Sequence, residues 1–368
     1  MSKNRYILEV CLSPDLGGLE LYMKDCAYEL SSEFTVVSVI AQKGKLAQYF
    51  EKSELGFFQL KRKSSFSLNT AWKLAKIIDE KKIDIIHLHW TKDIPIVVLA
   101  KLFSKQKPKL VQTRHMTMTR FKDDFYHKFL YKQINLILAV TKQVENQIKQ
   151  FIPKDIIPKV QTLYLGARSF DLIDKNIIQE FKKELNPKGS FMVGLIGRIN
   201  EFKGQHLLLE AMKILVDKGL DIQAFIVGHT MSEEYLETLK NKVVSSNLLE
   251  NFHFVGFTNE PEKFMQTCDV VAMTSKNETF GLVTIEAMKN GTAVVGANSG
   301  GVLEIIDDEQ TGLLFQSGDA IDLSQKIEKL YNDRKLKEKL ADNGKEKADL
   351  MFDKTKQFKK LIDIFKLL

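Results

Sequence analysis

"FMVGLIGRINEFKGQHLLLEAMKILVDKGLDIQAFIVG", residues 191–228, holds a strand, a helix and a second strand in one run. The flanking pieces, 191–197 and 222–228, are near-continuous apolar runs of strand length, the pattern of strands buried on both faces. Between them Leu207, Leu208, Ala211, Met212, Leu215 and Val216 fall on one face of a helix. The same alternation extends in both directions. "RYILEVCL" (5–12), "FTVVSVIA" (34–41), "IDIIHLHW" (83–90), "KLVQTRHM" (109–116), "NLILAVT" (135–141) and "KVQTLYLG" (159–166) come before it, and "NFHFVGF" (251–257), "VVAMTS" (270–275) and "TAVVGA" (292–297) after it. Strands alternating with helices twice over predict an α/β protein of two doubly wound, Rossmann-like parallel-sheet domains. The boundary is expected in the polar stretch after Gly166, dividing the chain into residues 1–170, 171–350 and a terminal segment 351–368. In that last segment Phe358, Leu361, Ile362 and Phe365 recur at helical spacing with lysines opposite. Such a helix either lies on a membrane or packs on its own protein, and packing is the preferred reading.

The 368 residues suffice for two cores, and 44% hydrophobic with 27% charged residues and 7 prolines is a globular composition. The N-terminal "MSKNRYILEV" is expected to be a first strand rather than a signal peptide, and no window approaches the apolar length of a spanning helix. Three scattered cysteines, Cys11, Cys26 and Cys268, show no metal-ligand spacing and suit a reducing cytoplasm. The charge of +7 is uneven: residues 1–170 hold 28 Lys+Arg against 16 Asp+Glu, a net +12, and the remainder is net −5. A basic first half suits an anionic surface, which admits nucleic acid or the inner face of a membrane. A solubilising lysine-rich face explains any single lysine equally well.

In open α/β sheets ligands bind beyond the carboxyl ends of the strands, so the loops there are the places to search. "GRINEFKGQ" supplies Gly197, Arg198, Lys203 and Gly204 ahead of a helix starting at 205, which reads equally as a cradle for a diphosphate or as an exposed Arg and Lys in a polar loop. In "ETFGLVTIEAM" (278–288), Glu278 stands at a strand tip, Phe280, Gly281 and Leu282 make the turn into a helix, and Glu286 follows about one turn later. Free N–H groups at that helix start suit phosphate oxygens, and Glu286 can accept hydrogen bonds from ribose or sugar hydroxyls. A plain Glu286–Lys289 surface pair is the bland alternative. Gly17 and Gly18 follow the first strand, where they allow either close ligand approach or an ordinary turn. His115 stands beyond another strand end between Arg114 and Arg120, whereas His87, His89, His206, His229 and His253 read as structural. There is no GxGxxG after a strand, no Walker loop, no HExxH and no DxD, so a divalent metal is not expected.

Together the E-x(7)-E pattern of Glu278 and Glu286, the following "AMKNGTAVVGANSGGVLEIIDDEQTGLLF", the "GRINEFKGQ" loop and the Gly17–Gly18 pair resemble the retaining GT-B glycosyltransferases of family 4. That resemblance implies two Rossmann-like domains facing across a cleft, the first presenting the acceptor and the second binding a nucleoside-diphosphate sugar. It implies that Arg198 and Lys203 bind the diphosphate, with Gly197 and the amides near Gly281 and Leu282. Glu286 would hold the ribose and Glu278 the donor sugar, and His115 would stand near the reacting sugar. It further implies a metal-independent transfer to a hydroxyl of a glycan or lipid-linked acceptor in surface polysaccharide or lipopolysaccharide synthesis, at the cytoplasmic membrane face, with no nucleic acid and no cofactor. Rival readings are a non-catalytic glycan- or nucleic-acid-binding protein on the same scaffold, or a nucleotide-sugar epimerase or hydrolase. Two departures from the family pattern stand out: "LYLGAR" with Arg168 where an acid is usual, and "GHT" (228–230) where Gly-Asp-Gly is common.

Overall fold

The computed structural model describes residues 5–169 and 173–368. The boundary expected between residues 170 and 171 lies outside the described residues. Two compact units form: the chain up to Tyr164 together with Lys356–Leu368, and Leu165–Thr355.

The first unit is built on seven strands, β1 (Tyr6–Cys11), β2 (Thr35–Ala41), β3 (Phe57–Leu60), β4 (Ile85–Leu88), β5 (Lys109–Arg114), β6 (Leu136–Ala139) and β7 (Lys159–Thr162). They lie in the order β3-β2-β1-β4-β5-β6-β7, and every pairing is parallel. Alternate residues of β1 face opposite sides, which is why the strand is apolar throughout. Leu8 and Val10 pack with Ala71, Leu74 and Ile78 of the helix Leu68–Glu80. Ile7 packs on the other face with Cys26 and Leu30 of the helix Gly18–Leu30.

The terminal helix Lys354–Leu367 closes that second face. Phe358, Leu361 and Phe365 join the cluster of Ile7, Ile85, Val111 and Leu138, so its apolar stripe is buried against its own protein. No helix among the described residues is long and apolar enough to cross a membrane.

The second unit carries β8 (Phe191–Ile196), β9 (Ile222–Val227), β10 (Phe252–Gly256), β11 (Val270–Met273), β12 (Ala293–Ala297) and β13 (Leu313–Phe315). The order is β10-β9-β8-β11-β12-β13, again all parallel. Val193 and Leu195 of β8 meet Leu208, Met212 and Leu215 of the helix Gln205–Asp217, the stripe visible in the sequence. The predicted α/β class with two Rossmann-like parallel sheets is what forms. Two strands were not foreseen, β3 and β13, of four and three residues. Both are sheet edges, too short to produce an apolar run of their own.

In each sheet the strand order reverses direction at one point, between β1 and β4 and between β8 and β11. Loops leaving the carboxyl ends of those adjacent strands diverge to opposite faces and leave a crevice, the usual ligand position in such sheets.

Removing the ring of Phe365, which has no exposed surface, should cost about 3–5 kcal/mol. Urea unfolding of Phe365→Ala measures this directly, and a loss below about 1 kcal/mol would show that the helix is not part of the first unit's core.

Candidate active site

At the second unit's switch point the loop leaving β8 is held in place by backbone contacts that admit only glycine. Gly204 sits at φ +72°, and a Cβ there would stand 2.4 Å from the Thr274 carbonyl oxygen. Thr274 Oγ1 donates to the Lys203 carbonyl at 2.7 Å, Asn200 caps the short turn Glu201–Lys203, and Gln205 Nε2 donates to the Arg198 carbonyl at 3.0 Å. The loop after β8 is thereby stitched to the end of β11. Gly228, the first residue of "GHT", is equally constrained, since its Cβ would lie 2.0 Å from the Gly197 carbonyl oxygen.

The loop leaving β11 is clamped from its other side by Ser299, Gly300 and Gly301. Ser299 Oγ donates to the Lys276 carbonyl at 2.7 Å and the Gly301 amide to the Glu278 carbonyl at 2.8 Å. Gly300 and Gly301 have no space for side chains, whose Cβ atoms would meet the Glu278 and Thr279 carbonyls at 2.2 and 2.3 Å. This glycine pair was legible only as part of the longer motif, without a role of its own.

Four charged groups project from this framework. Arg198 is exposed and has no ion-pair or hydrogen-bond partner for its guanidinium among the described residues. Lys203 Nζ and Glu278 Oε2 are paired at 2.6 Å, each side chain about one-fifth exposed. Gly281, at φ +92°, starts the helix Leu282–Lys289 with no side-chain cap, so its first N–H groups remain available. The Phe280 ring is buried and packs edge-on against Phe352 at 5.9 Å.

Glu286, on that helix, has no hydrogen-bonded partner for its carboxylate among the described residues. The bland pairing with Lys289 does not form: Lys289 is fully buried and reaches Asp349 at 3.0 Å and Asp353 at 3.7 Å. Burial, reinforced by the Glu262 charge, pushes the Glu286 carboxyl up to about 7. An unpartnered acid in such surroundings awaits hydrogen-bond donors.

The first unit contributes Gly17, Gly18 and His115. Gly17 is the extended N-cap of the helix Gly18–Leu30, without a side-chain cap. His115 ends a buried chain of polar side chains. Glu9 of β1 is the register partner of His87 in β4. Its two carboxylate oxygens meet His87 Nδ1 at 2.9 Å and His89 Nε2 at 2.6 Å. His87 Nε2 lies 2.7 Å from the Thr113 hydroxyl, and His89 Nδ1 lies 3.4 Å from His115 Nε2. The histidine contacts hold the Glu9 carboxyl below its ordinary value against the opposing effect of burial. Burial lowers His89 to about 4 and His115 well below the usual imidazole range. With Glu9 an acceptor only, His89 donates from Nε2 and accepts at Nδ1, so His115 donates from Nε2. Its Nδ1 stays a free acceptor with no partner among the described residues.

Glu9, Cys26, His87 and His89 also bring ligand atoms within 4.8 Å of one another, a grouping that sequence spacing did not reveal. An ion held there would have to displace the imidazole protons that now bond Glu9, so the hydrogen-bonded network accounts for these residues as they stand. The sequence signal was an acid within an apolar strand, facing a His-x-His pair. His206 and His253 serve structural contacts, with Tyr235 at 2.9 Å and stacked on Phe225 at 4.8 Å.

Two family models match: residues 176–347 fit "Glycosyl transferases group 1" and residues 9–141 fit "Glycosyl transferase 4-like". The chain belongs to the GT-B glycosyltransferases of family 4 type. It is 23% identical to the capsular polysaccharide biosynthesis glycosyltransferase CapM of Staphylococcus aureus, over 86% of both chains. It is 25% identical to the O-antigen biosynthesis glycosyltransferase WclY of Escherichia coli, over 83% of this chain and 90% of that one. Its fold matches that of HepE from Anabaena in complex with UDP, with a TM-score of 0.87 and 21% identity over 99% and 100% of the two chains. The protein is a glycosyltransferase.

The Glu286 environment predicts a pH signature for this enzyme. A folded-state carboxyl raised to about 7 binds its proton more tightly than the unfolded chain does, so stability falls as pH rises from about 4.5 through 7. Glu286→Gln removes that loss and should gain on the order of 1–3 kcal/mol over the parent between pH 5 and pH 8. Parallel stability profiles for the two proteins in urea would refute the assignment.

Proposed function

We propose that this glycosyltransferase is a retaining, metal-independent enzyme that moves a sugar from a nucleoside-diphosphate sugar to a hydroxyl of a glycan or glycolipid. The observation that carries the reading is the set of unclaimed groups around one switch point. Arg198 lacks an anion, the helix at Leu282 has free N–H groups, and Glu286 lacks donors. A nucleoside diphosphate supplies all three partners: its phosphates meet Arg198 and the helix start, and its ribose hydroxyls donate to Glu286.

In the reaction the bond from the sugar's anomeric carbon to the diphosphate oxygen breaks and a bond to the acceptor oxygen forms on the same face. The acceptor's proton passes to a phosphate oxygen, and the nucleoside diphosphate leaves. Negative charge grows on the diphosphate, where Arg198, Lys203 and the amides at Gly281 and Leu282 stabilise it in place of a divalent cation. Lys203 reaches the phosphates by giving up part of its contact with Glu278, which frees that carboxylate for the donor sugar's hydroxyls. The first unit presents the acceptor.

The names of CapM and WclY support an acceptor in capsule or O-antigen synthesis, and the complexes of HepE with UDP and UDP-glucose support a nucleotide-sugar donor. The basic first half suits work at an anionic membrane face, where lipid-linked acceptors are found.

The test is thermal unfolding with EDTA present, against a panel of nucleoside diphosphates and their sugars. A ligand at 100 times its dissociation constant adds about 2.7 kcal/mol, so one nucleotide class should raise the melting temperature. Arg198→Ala should weaken that ligand by about tenfold or more, and Glu286→Ala comparably. Proton NMR of the first-formed product should show the donor's anomeric configuration. An inverted product, or a shift that needs Mg²⁺ or Mn²⁺, would contradict the mechanism.

A further inference from the structure

The first unit holds a second set of uncompensated charges. A cavity of about 130 Å³, open to solvent, is lined by Lys92, Arg114, Lys122, Tyr126, His127 and Tyr131 among others, and no aspartate or glutamate lines it. Arg114, at the end of β5, is only 4% exposed. One guanidinium nitrogen donates to the Thr117 carbonyl at 3.1 Å and the Tyr131 hydroxyl stands beside the group, while Nε and Nη1 are buried without a hydrogen bond of normal geometry. A guanidinium stays charged, and a buried charge with idle donors is unfavourable unless an anion completes it.

Its neighbours deepen the imbalance. Lys122 is partly buried, and after burial the largest influences lowering its pKa are the positive charges of Arg120 and Arg114. The nearby acids are engaged elsewhere: Asp124 with His127 at 2.5 Å, and buried Asp93 with Arg62 at 3.5 Å and the Leu12 amide at 2.7 Å. Exposed aromatic rings adjoin the lining residues Ser65, Lys122 and Tyr126 along the chain. Phe66 contacts Tyr126 at 5.1 Å, and Phe66, Phe121 and Phe125 are 56%, 60% and 87% exposed.

We propose that this cavity binds a phosphoryl group, held by Arg114, Lys92 and Lys122 with the Tyr131 hydroxyl, and that the exposed rings receive what the phosphoryl group is attached to. A tetrahedral dianion has the size and the acceptor oxygens to engage the idle donors of Arg114 and the two lysines at once. That the group belongs to the acceptor rests on the proposed function; that the cavity binds a phosphoryl group does not. Two sources share the chemistry, a water-soluble phosphate and a lipid-borne one.

Isothermal titration of the full chain with inorganic phosphate and, separately, with farnesyl phosphate tests this, using Lys122→Ala, Lys92→Ala and Arg114→Lys alongside Arg198→Ala. The first three should each weaken phosphate at this cavity by about tenfold or more, while Arg198→Ala removes only phosphate held at the nucleotide loop of the other unit. Lys122 and Lys92 are accessible enough that their variants should fold, which keeps the test valid should Arg114→Lys fail to. Farnesyl phosphate binding at least tenfold tighter than inorganic phosphate identifies a lipid-borne group, and equal binding identifies a soluble one. Phosphate binding lost in Arg198→Ala but retained in Lys122→Ala would place the anion in the nucleotide loop and overturn the proposal, as would no binding by the parent protein. Donor binding, read with nucleotides and Glu286→Ala, stands or falls separately.

Discussion

The contact between the Gly204 backbone and the Thr274 carbonyl fixes what surrounds it. Only a residue without a side chain can lie where a Cβ would be 2.4 Å from that oxygen, and only at positive φ does the chain then turn straight into the helix Gln205–Asp217. The consequence is that Arg198 and Lys203 leave the sheet from a loop with little freedom. The same logic acts on the far side of the crevice, where Gly300 and Gly301 press on the backbone that carries Glu278. Both charged loops are thus positioned by backbone against backbone, which is stiffer than positioning by side chains and costs nothing in rotamer entropy.

Polar groups in this protein fall into two kinds, and the difference separates scaffold from site. Glu9, His87 and Thr113 satisfy one another within the first sheet, and Lys289 is satisfied by Asp349 and Asp353. Such closed networks hold elements in register and ask for nothing from outside. Arg198, Glu286 and Arg114 are open: the charged ends of Arg198 and Glu286 have no partner among the described residues, Arg114 leaves Nε and Nη1 unused, and Glu286 and Arg114 stand in surroundings that penalise charge. Leaving a charge open is unfavourable to the unliganded fold, so a ligand that closes it binds with that energy in its favour. His115 bridges the two kinds, with one ring nitrogen fixed inward by His89 and the other unclaimed.

The parallel α/β architecture was legible because strands such as β8 and β9 are apolar on both faces and the intervening helix has a clean stripe at Leu208, Met212 and Leu215. Edge strands β3 and β13 escaped because three or four residues with one covered side carry no periodicity. The charged loop residues were also visible, since Arg198, Lys203, Glu278 and Glu286 follow strand ends where ligands bind. Their pairing state was not: no sequence pattern reveals that Lys203 lies 2.6 Å from Glu278 or that Glu286 stands alone. Glu9 was overlooked because its significance depends on register, which places it opposite His87 across 78 residues of chain. Arg114 read as a neighbour of His115, although alternation along a strand sends adjacent side chains to opposite faces. The two therefore serve different surroundings.

The Lys203–Glu278 pair shows how the unliganded enzyme keeps a charged crevice stable. Each side chain keeps about one-fifth of its surface exposed, so the pair is neither free in water nor locked in the interior, and breaking it costs little. A fully buried pair would resist opening by several kcal/mol, and two unpaired charges facing each other would relax into other contacts. An intermediate pair holds both side chains within the crevice, near where a diphosphate and a sugar would need them. If the donor binds as proposed, phosphate oxygens competing for Lys203 would release Glu278 toward the sugar's hydroxyls, so that one exchange of partners would order both ends of the donor. Arg198, already unpaired, would then provide the first attraction that brings a diphosphate within reach of that exchange.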